Sequence, residues 1–152
     1  MPKIVHLSLK EHFSAAHRLN SPHLSAEENV ELYGKCNHSN GHGHNYDLVV
    51  TVSGSIDTTT GMVINAQMLK DWVTTRVLDV LDHRNIDKDV AYFGDHPSTS
   101  ENLAVFIWIQ LSQVLPPSLS HRIELWETPR IGVSFSGEGL TESDIKECVV
   151  QD

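Results

Sequence analysis

The chain has 152 residues, enough for one domain (1–152) that buries its own core without disulfides. Its 11 Lys and Arg against 20 Asp and Glu leave a formal net charge of −9 with no basic run, which excludes a broad cationic face for nucleic acid. No apolar run approaches the roughly 20 residues of a membrane span, and Met1 to Lys10 lacks the features of a signal peptide, so a soluble, cytoplasmic protein with no membrane partner is expected.

The chain opens on alternation: Val5, Leu7, Leu9, Phe13, Ala15, His17 and Leu19 share one parity, interrupted by Glu11. This predicts a long strand, bulged near Glu11. Ser25-Ala26-Glu27-Glu28 has the form of a capping box and Gly34 that of a stop, with a short helix between them. Residues 42–54 alternate again, with His42, His44, Tyr46, Leu48, Val50 and Val52 on one face, and a turn follows over 57–61. Asn65 can cap a helix whose stripe is Leu69, Trp72, Val73, Arg76, Val77, Val80 and Leu81. Residues 84–97 read as a loop. Ser98-Thr99-Ser100-Glu101 is a second capping box, opening a helix that Pro116-Pro117 ends. Strands at about 120–128 and 131–136 flank the turn Thr128-Pro129-Arg130. Four strands around a helical pair predict an α+β domain: a small antiparallel four-stranded sheet with two main helices on one face. Its two free edges invite pairing with further copies.

Histidine is the unusual residue, with ten in the chain. In Gly41-His42-Gly43-His44-Asn45, the two imidazoles stand two residues apart on a strand and so point to the same side. His17 lies on the inward face of the first strand. If the first two strands pair antiparallel, three imidazoles meet, which is the donor set of a catalytic zinc with one open position. Cys36 precedes this motif across an Asn- and Gly-rich loop. Spacing leaves two roles open for it: a fourth ligand that closes a structural site, or a free thiolate acting as nucleophile or base beside the metal. Cys148 reads as a second free thiol without a role, and Asp95-His96-Pro97 has none either.

Asp82-His83 ends a helix, and the carboxylate and the helix C-terminus both favour the protonated imidazole, as suits a proton donor. The same pair could simply terminate the helix. Glu127 shares a parity with Ile123 and Leu125, so its carboxylate needs a partner on an apolar face. A ligand with paired N–H donors would serve, and so would a basic side chain.

Taken in order, Phe13-Ser14-Ala15-Ala16-His17-Arg18-Leu19, Tyr33-Gly34-Lys35-Cys36, Gly41-His42-Gly43-His44-Asn45-Tyr46, Leu81-Asp82-His83-Arg84-Asn85, Ser98-Thr99-Ser100-Glu101-Asn102 and Glu127-Thr128 resemble the 6-pyruvoyltetrahydropterin synthase family over nearly the whole chain. The resemblance implies conversion of 7,8-dihydroneopterin triphosphate to 6-pyruvoyltetrahydropterin with loss of triphosphate, a lyase step of tetrahydrobiopterin synthesis. It implies zinc on His17, His42 and His44, a catalytic Cys36 with Asp82 and His83 as its partners, and a pterin held by Glu127, Thr99 and Ser100. It implies magnesium with the triphosphate, which Arg18 and Lys35 could help to hold. It also implies the tunnelling fold, in which three subunits close a barrel and two trimers stack as a homohexamer. The sister 6-carboxytetrahydropterin synthase of deazapurine synthesis shares the histidines but has a shorter loop after its cysteine. The spacing from Cys36 to His42 favours the pyruvoyl activity. A non-catalytic zinc- or pterin-binding protein is the remaining reading.

Overall fold

A computed structural model describes residues 1–148. The two alternating segments fold as β1 (Ile4–His17) and β2 (His42–Ser55), paired antiparallel from Ile4 opposite Ser55 to His17 opposite His42. The register carries no inserted residue, so the bulge expected near Glu11 is absent. Glu11 stays in the ladder opposite Leu48, half-buried.

β2 pairs antiparallel with β4 (Ser120–Trp126), and β4 with β5 (Gly132–Phe135). A further strand, β3 (Arg84–Asn85), runs parallel to β1 at Ala15 and Ala16. The sheet therefore has five strands in the order β3-β1-β2-β4-β5, which corrects the expected four-stranded antiparallel sheet. The extra strand lies in the segment read as loop, which also forms α4 (Ile86–Asp89) and a 3₁₀ turn, Ala91–Gly94. Two residues are too few to display a period. Their pairing is imposed from outside, where His83 donates its backbone N–H to the Ser14 carbonyl at 2.7 Å.

The helices begin where their caps say. Ser25 Oγ accepts the Glu28 N–H at 3.1 Å to open α1 (Ala26–Tyr33), and Gly34, at φ +56°, closes it. Asn65 Oδ1 accepts from Gln67 and Met68 to open α2 (Ala66–Val73), which runs through a π turn, Thr74–Leu78, into α3 (Asp79–Leu81). Leu69, Val73, Val77 and Leu81 are all fully buried at four-residue spacing. In a straight α-helix each step of four drifts by about 40°. The wider π turn takes up part of that drift and keeps the stripe on the sheet.

In α5 (Ser100–Ser112) the cap is one residue later than expected: Thr99 Oγ1 accepts the Asn102 N–H at 3.3 Å. Ser98 is thereby released toward β1. A helix not expected from the sequence, α6 (Glu142–Glu147), carries a reciprocal Thr141–Asp144 capping box. It brings Cys148 into the core, where Gln110 Nε2 donates to its carbonyl oxygen. Burial pushes the Cys148 thiol up to about 11, so this residue is core packing.

One face of the sheet, carrying Phe13, Ala15, Tyr46, Leu48, Val50, Val52, Ile123 and Leu125, packs on the helices. The opposite face is polar, with His6 on Ser53, Ser8 on Thr51, and Ser14 on Asn45. Among the described residues no helix is long and apolar enough to cross a membrane.

Candidate metal centre and active site

The centre sits where the β1–β2 ladder ends. His17 lies opposite His42, and Ala15 opposite His44, so the three imidazoles share the helix-packed face. Cross-strand pairing and the period of two are sufficient to bring them together. The Nε2 atoms of His17 and His42 are 3.1 Å apart, and one ligand nitrogen from each of the three lies within 4.8 Å of the others. The rings meet edge to face, with centroids 4.7, 5.1 and 4.9 Å apart.

Three features fit this set to a metal ion. First, the spacing is right: a tetrahedral zinc with Zn–N near 2.0–2.1 Å needs neighbouring nitrogens about 3.3 Å apart. Second, the tautomer is fixed. His17 Nδ1 donates to the Ser98 carbonyl at 2.8 Å, which leaves its Nε2 lone pair facing the other two rings. Third, His44 Nε2 is buried without a hydrogen-bond partner. Desolvation holds the pKa values of His17 and His42 below the ordinary imidazole value, with the neighbouring imidazoles adding to the effect. Both shifts favour the neutral imidazole, the form that binds a metal.

The set contains three nitrogens and no sulfur. Cys36, half-buried, stands in the 3₁₀ turn Gly34–Asn37, and its carbonyl accepts the Leu19 N–H at 2.9 Å. The loop then returns to β2 through Gly41, at φ +72°, where an added Cβ would stand 2.9 Å from the His17 carbonyl oxygen. Gly41→Ala is therefore expected to cost about 1–3 kcal/mol of stability. Because the strain falls between two ligands, the variant should also purify with less bound metal than the parent. Thermal unfolding and metal analysis on one sample check both.

Asp82 and His83 leave the end of α3 at the β3 edge. Asp82 Oδ1 accepts the Ser14 N–H at 2.9 Å, and its Oδ2 meets His83 Nδ1 at 2.9 Å. That backbone hydrogen bond first, and then His83, hold the carboxyl below its usual range. His83 is the one non-glycine residue at positive φ, +61°, among those described, and its side chain is 83% exposed. The strained backbone turns the ring away from the helix into an open groove with Ser14, Gly43, His44 and Asn45. The pair thus does more than end a helix: it is fastened to the ligand-bearing strand.

Glu127 follows β4 on the core parity, and its Oε1 lies 3.3 Å from His44 Nε2 and 3.6 Å from His17 Nε2. The carboxylate therefore stands beside the imidazole cluster, a neighbourhood that alternation along its own strand could not reveal, with no hydrogen bond to it. Ser100 Oγ and Tyr46 OH are buried without hydrogen-bond partners. Thr99 Oγ1 is engaged as the cap of α5 and keeps its O–H to donate. Tyr46, two residues beyond His44 with ring centroids 5.6 Å apart, belongs to this neighbourhood; in the sequence it stands on the alternating strand and in the motif from Gly41 to Tyr46 without a role of its own.

These features define an α+β protein with a three-imidazole centre at the end of its sheet and the Glu127 carboxylate beside it. The sequence model of 6-pyruvoyl tetrahydropterin synthase matches residues 6–138, and the chain belongs to that family of lyase-type enzymes. It is 49% identical over 135 residues to a Drosophila melanogaster protein named 6-pyruvoyl tetrahydrobiopterin synthase, covering 88% of this chain and 80% of that one. It is 52% identical over 126 residues to a Homo sapiens protein of the same name, covering 83% and 87%. The solved structure of Caenorhabditis elegans 6-pyruvoyl tetrahydropterin synthase superposes with a TM-score of 0.86 at 44% identity, over 90% of this chain and 98% of that one.

Proposed function

We propose that this chain converts 7,8-dihydroneopterin triphosphate to 6-pyruvoyltetrahydropterin with elimination of triphosphate, serving tetrahydrobiopterin synthesis. The observation that carries the reading is the convergence of His17, His42 and His44 beside Glu127 in a member of this family. The names of its relatives at 49% and 52% identity support the pyruvoyl activity over the sister carboxy activity.

His17, His42 and His44 would hold the zinc ion, which would supply a Lewis acid for the side-chain oxygens of the substrate and so make the adjacent C–H more acidic. Cys36 takes that proton as general base. Asp82, kept ionised by the Ser14 N–H, fixes the His83 tautomer through Nδ1 and leaves Nε2 free to deliver a proton from the groove side. Glu127 accepts paired N–H donors of the pterin ring, and Ser100, whose buried hydroxyl has no partner, and Thr99 at the start of α5 offer further hydroxyls to it. The oxidation of the side chain and the reduction of the ring balance within one molecule, so no nicotinamide is required. The sheet's two edges, β3 and β5, have no further strand beside them within the chain, which leaves them open to pairing between three subunits that would close a barrel, two of which would stack as a hexamer. A solution mass of six chains would agree with this assembly, and a monomer would contradict it.

The test is the zinc-loaded protein with 7,8-dihydroneopterin triphosphate alone. Release of triphosphate together with 6-pyruvoyltetrahydropterin is expected. Formation of the carboxy product, or no consumption of substrate, would overturn the reading.

A further inference from the structure

Cys36 lies in a one-turn 3₁₀ helix that has little intrinsic rigidity, yet a general base must be held within a fraction of an ångström of its target proton. What holds this turn is its neighbour. Asn37 is 5% exposed and uses every polar atom of its side chain. Its Nδ2 donates to the Leu19 carbonyl at 2.7 Å and to Asn20 Oδ1 at 3.0 Å, and its Oδ1 accepts from Arg18 Nη2 at 3.3 Å. Its backbone carbonyl accepts from Arg18 Nε at 2.7 Å, while Leu19 N–H reaches the Cys36 carbonyl at 2.9 Å. The amide orientation is determined by its surroundings. Arg18 only donates and the Leu19 carbonyl only accepts, so turning the amide over would put donor against donor and acceptor against acceptor.

All these bonds end on Arg18, Leu19 and Asn20, the residues that directly follow the ligand His17. Arg18 is itself anchored, its backbone N–H donating to Asp87 Oδ2 at 2.6 Å. The cysteine turn and the metal-binding strand are therefore joined by a part-buried polar network centred on the buried Asn37 side chain, whose donors and acceptor are all engaged. Such networks fix one geometry because a half-made network is costly. We propose that Asn37, with Arg18 behind it, is a positioning residue that sets the Cys36 thiol relative to the imidazole centre. The inference rests on the assignment of Cys36 as general base. It also gives Arg18 a role that does not involve the substrate.

The test uses the full-length zinc protein and three variants. Asn37→Asp keeps the size of the side chain and its contact with Arg18 but removes both donors. Arg18→Met removes the two guanidinium bonds and leaves Asn37 in place. Cys36→Ala removes the base. For Asn37→Asp the expected result is a fall in kcat of about 10–100-fold, with KM within threefold of the parent, zinc content unchanged and the same far-UV circular dichroism. Arg18→Met should lower kcat in the same direction, also with little change in KM, and it decides the matter if Asn37→Asp does not fold. An unchanged kcat in the folded variants overturns the proposal. A raised KM with kcat intact for Arg18→Met also overturns it, placing that guanidinium on the substrate. Turnover by Cys36→Ala at the parental rate overturns the underlying assignment, whereas a dead Cys36→Ala beside a fully active Asn37→Asp overturns the positioning role alone.

Discussion

Cys36→Ala is expected to lower kcat by about 10²–10⁴-fold, the usual worth of a positioned general base, while the protein keeps its zinc and its fold. In free energy this is about 3–5 kcal/mol of lost transition-state stabilisation. The prediction separates the two roles that spacing alone leaves open. The convergent donor set consists of three nitrogens, so removing the sulfur takes no ligand away. The backbone tie from Leu19 N–H to the Cys36 carbonyl survives the change, because alanine has the same backbone. A variant that lost zinc and unfolded together would instead mark Cys36 as the fourth ligand of a closed structural site. Steady-state kinetics, metal analysis and circular dichroism on one preparation give the answer.

His42→Ala is expected to reduce zinc affinity by more than about 100-fold, since losing a ligand must exceed the 10–100-fold cost of losing a mere supporting contact. Activity should fall with it and should not return at zinc concentrations that saturate the parent. His42 is the informative choice among the three ligands. His17 is wholly buried and bonded to the Ser98 carbonyl, so its truncation would open a cavity and orphan a carbonyl as well as remove a ligand. His42 is only half-buried, and its truncation tests metal binding with less damage to packing. Zinc titration by calorimetry, with the metal-free parent as reference for stability, checks the result. A variant that bound zinc as tightly as the parent would remove His42 from the centre.

Much of this was legible in the chain before its structure was known, for a simple reason. A period of two assigns the faces of β1 and β2, and an antiparallel pair then carries His17 to His42 and His44 with no further information. The caps at Ser25 and Asn65 were equally readable, because a side-chain oxygen three or fewer residues from its N–H is a local device. What could not be read depends on partners distant in sequence. β3 exists because Ser14 binds Asp82 and His83, and neither the two residues nor their neighbours carry a strand pattern. The cap of α5 falls on Thr99 and not on Ser98, a choice the sequence leaves open because the two are chemically alike, and the bond from His17 to the Ser98 carbonyl separates them. The imidazoles beside Glu127 lie on other strands, and the role of Asn37 follows from bonds that span 17 to 19 residues.

The proposed chemistry requires an ion bound by three imidazoles, with the Cys36 thiol unbound. X-ray absorption at the zinc edge of the purified protein measures this directly. The account predicts one zinc per chain with nitrogen and oxygen scatterers alone, at about 2.0–2.1 Å, of which three are imidazole. A sulfur scatterer at about 2.3 Å, or a protein that retains no stoichiometric metal, would contradict it.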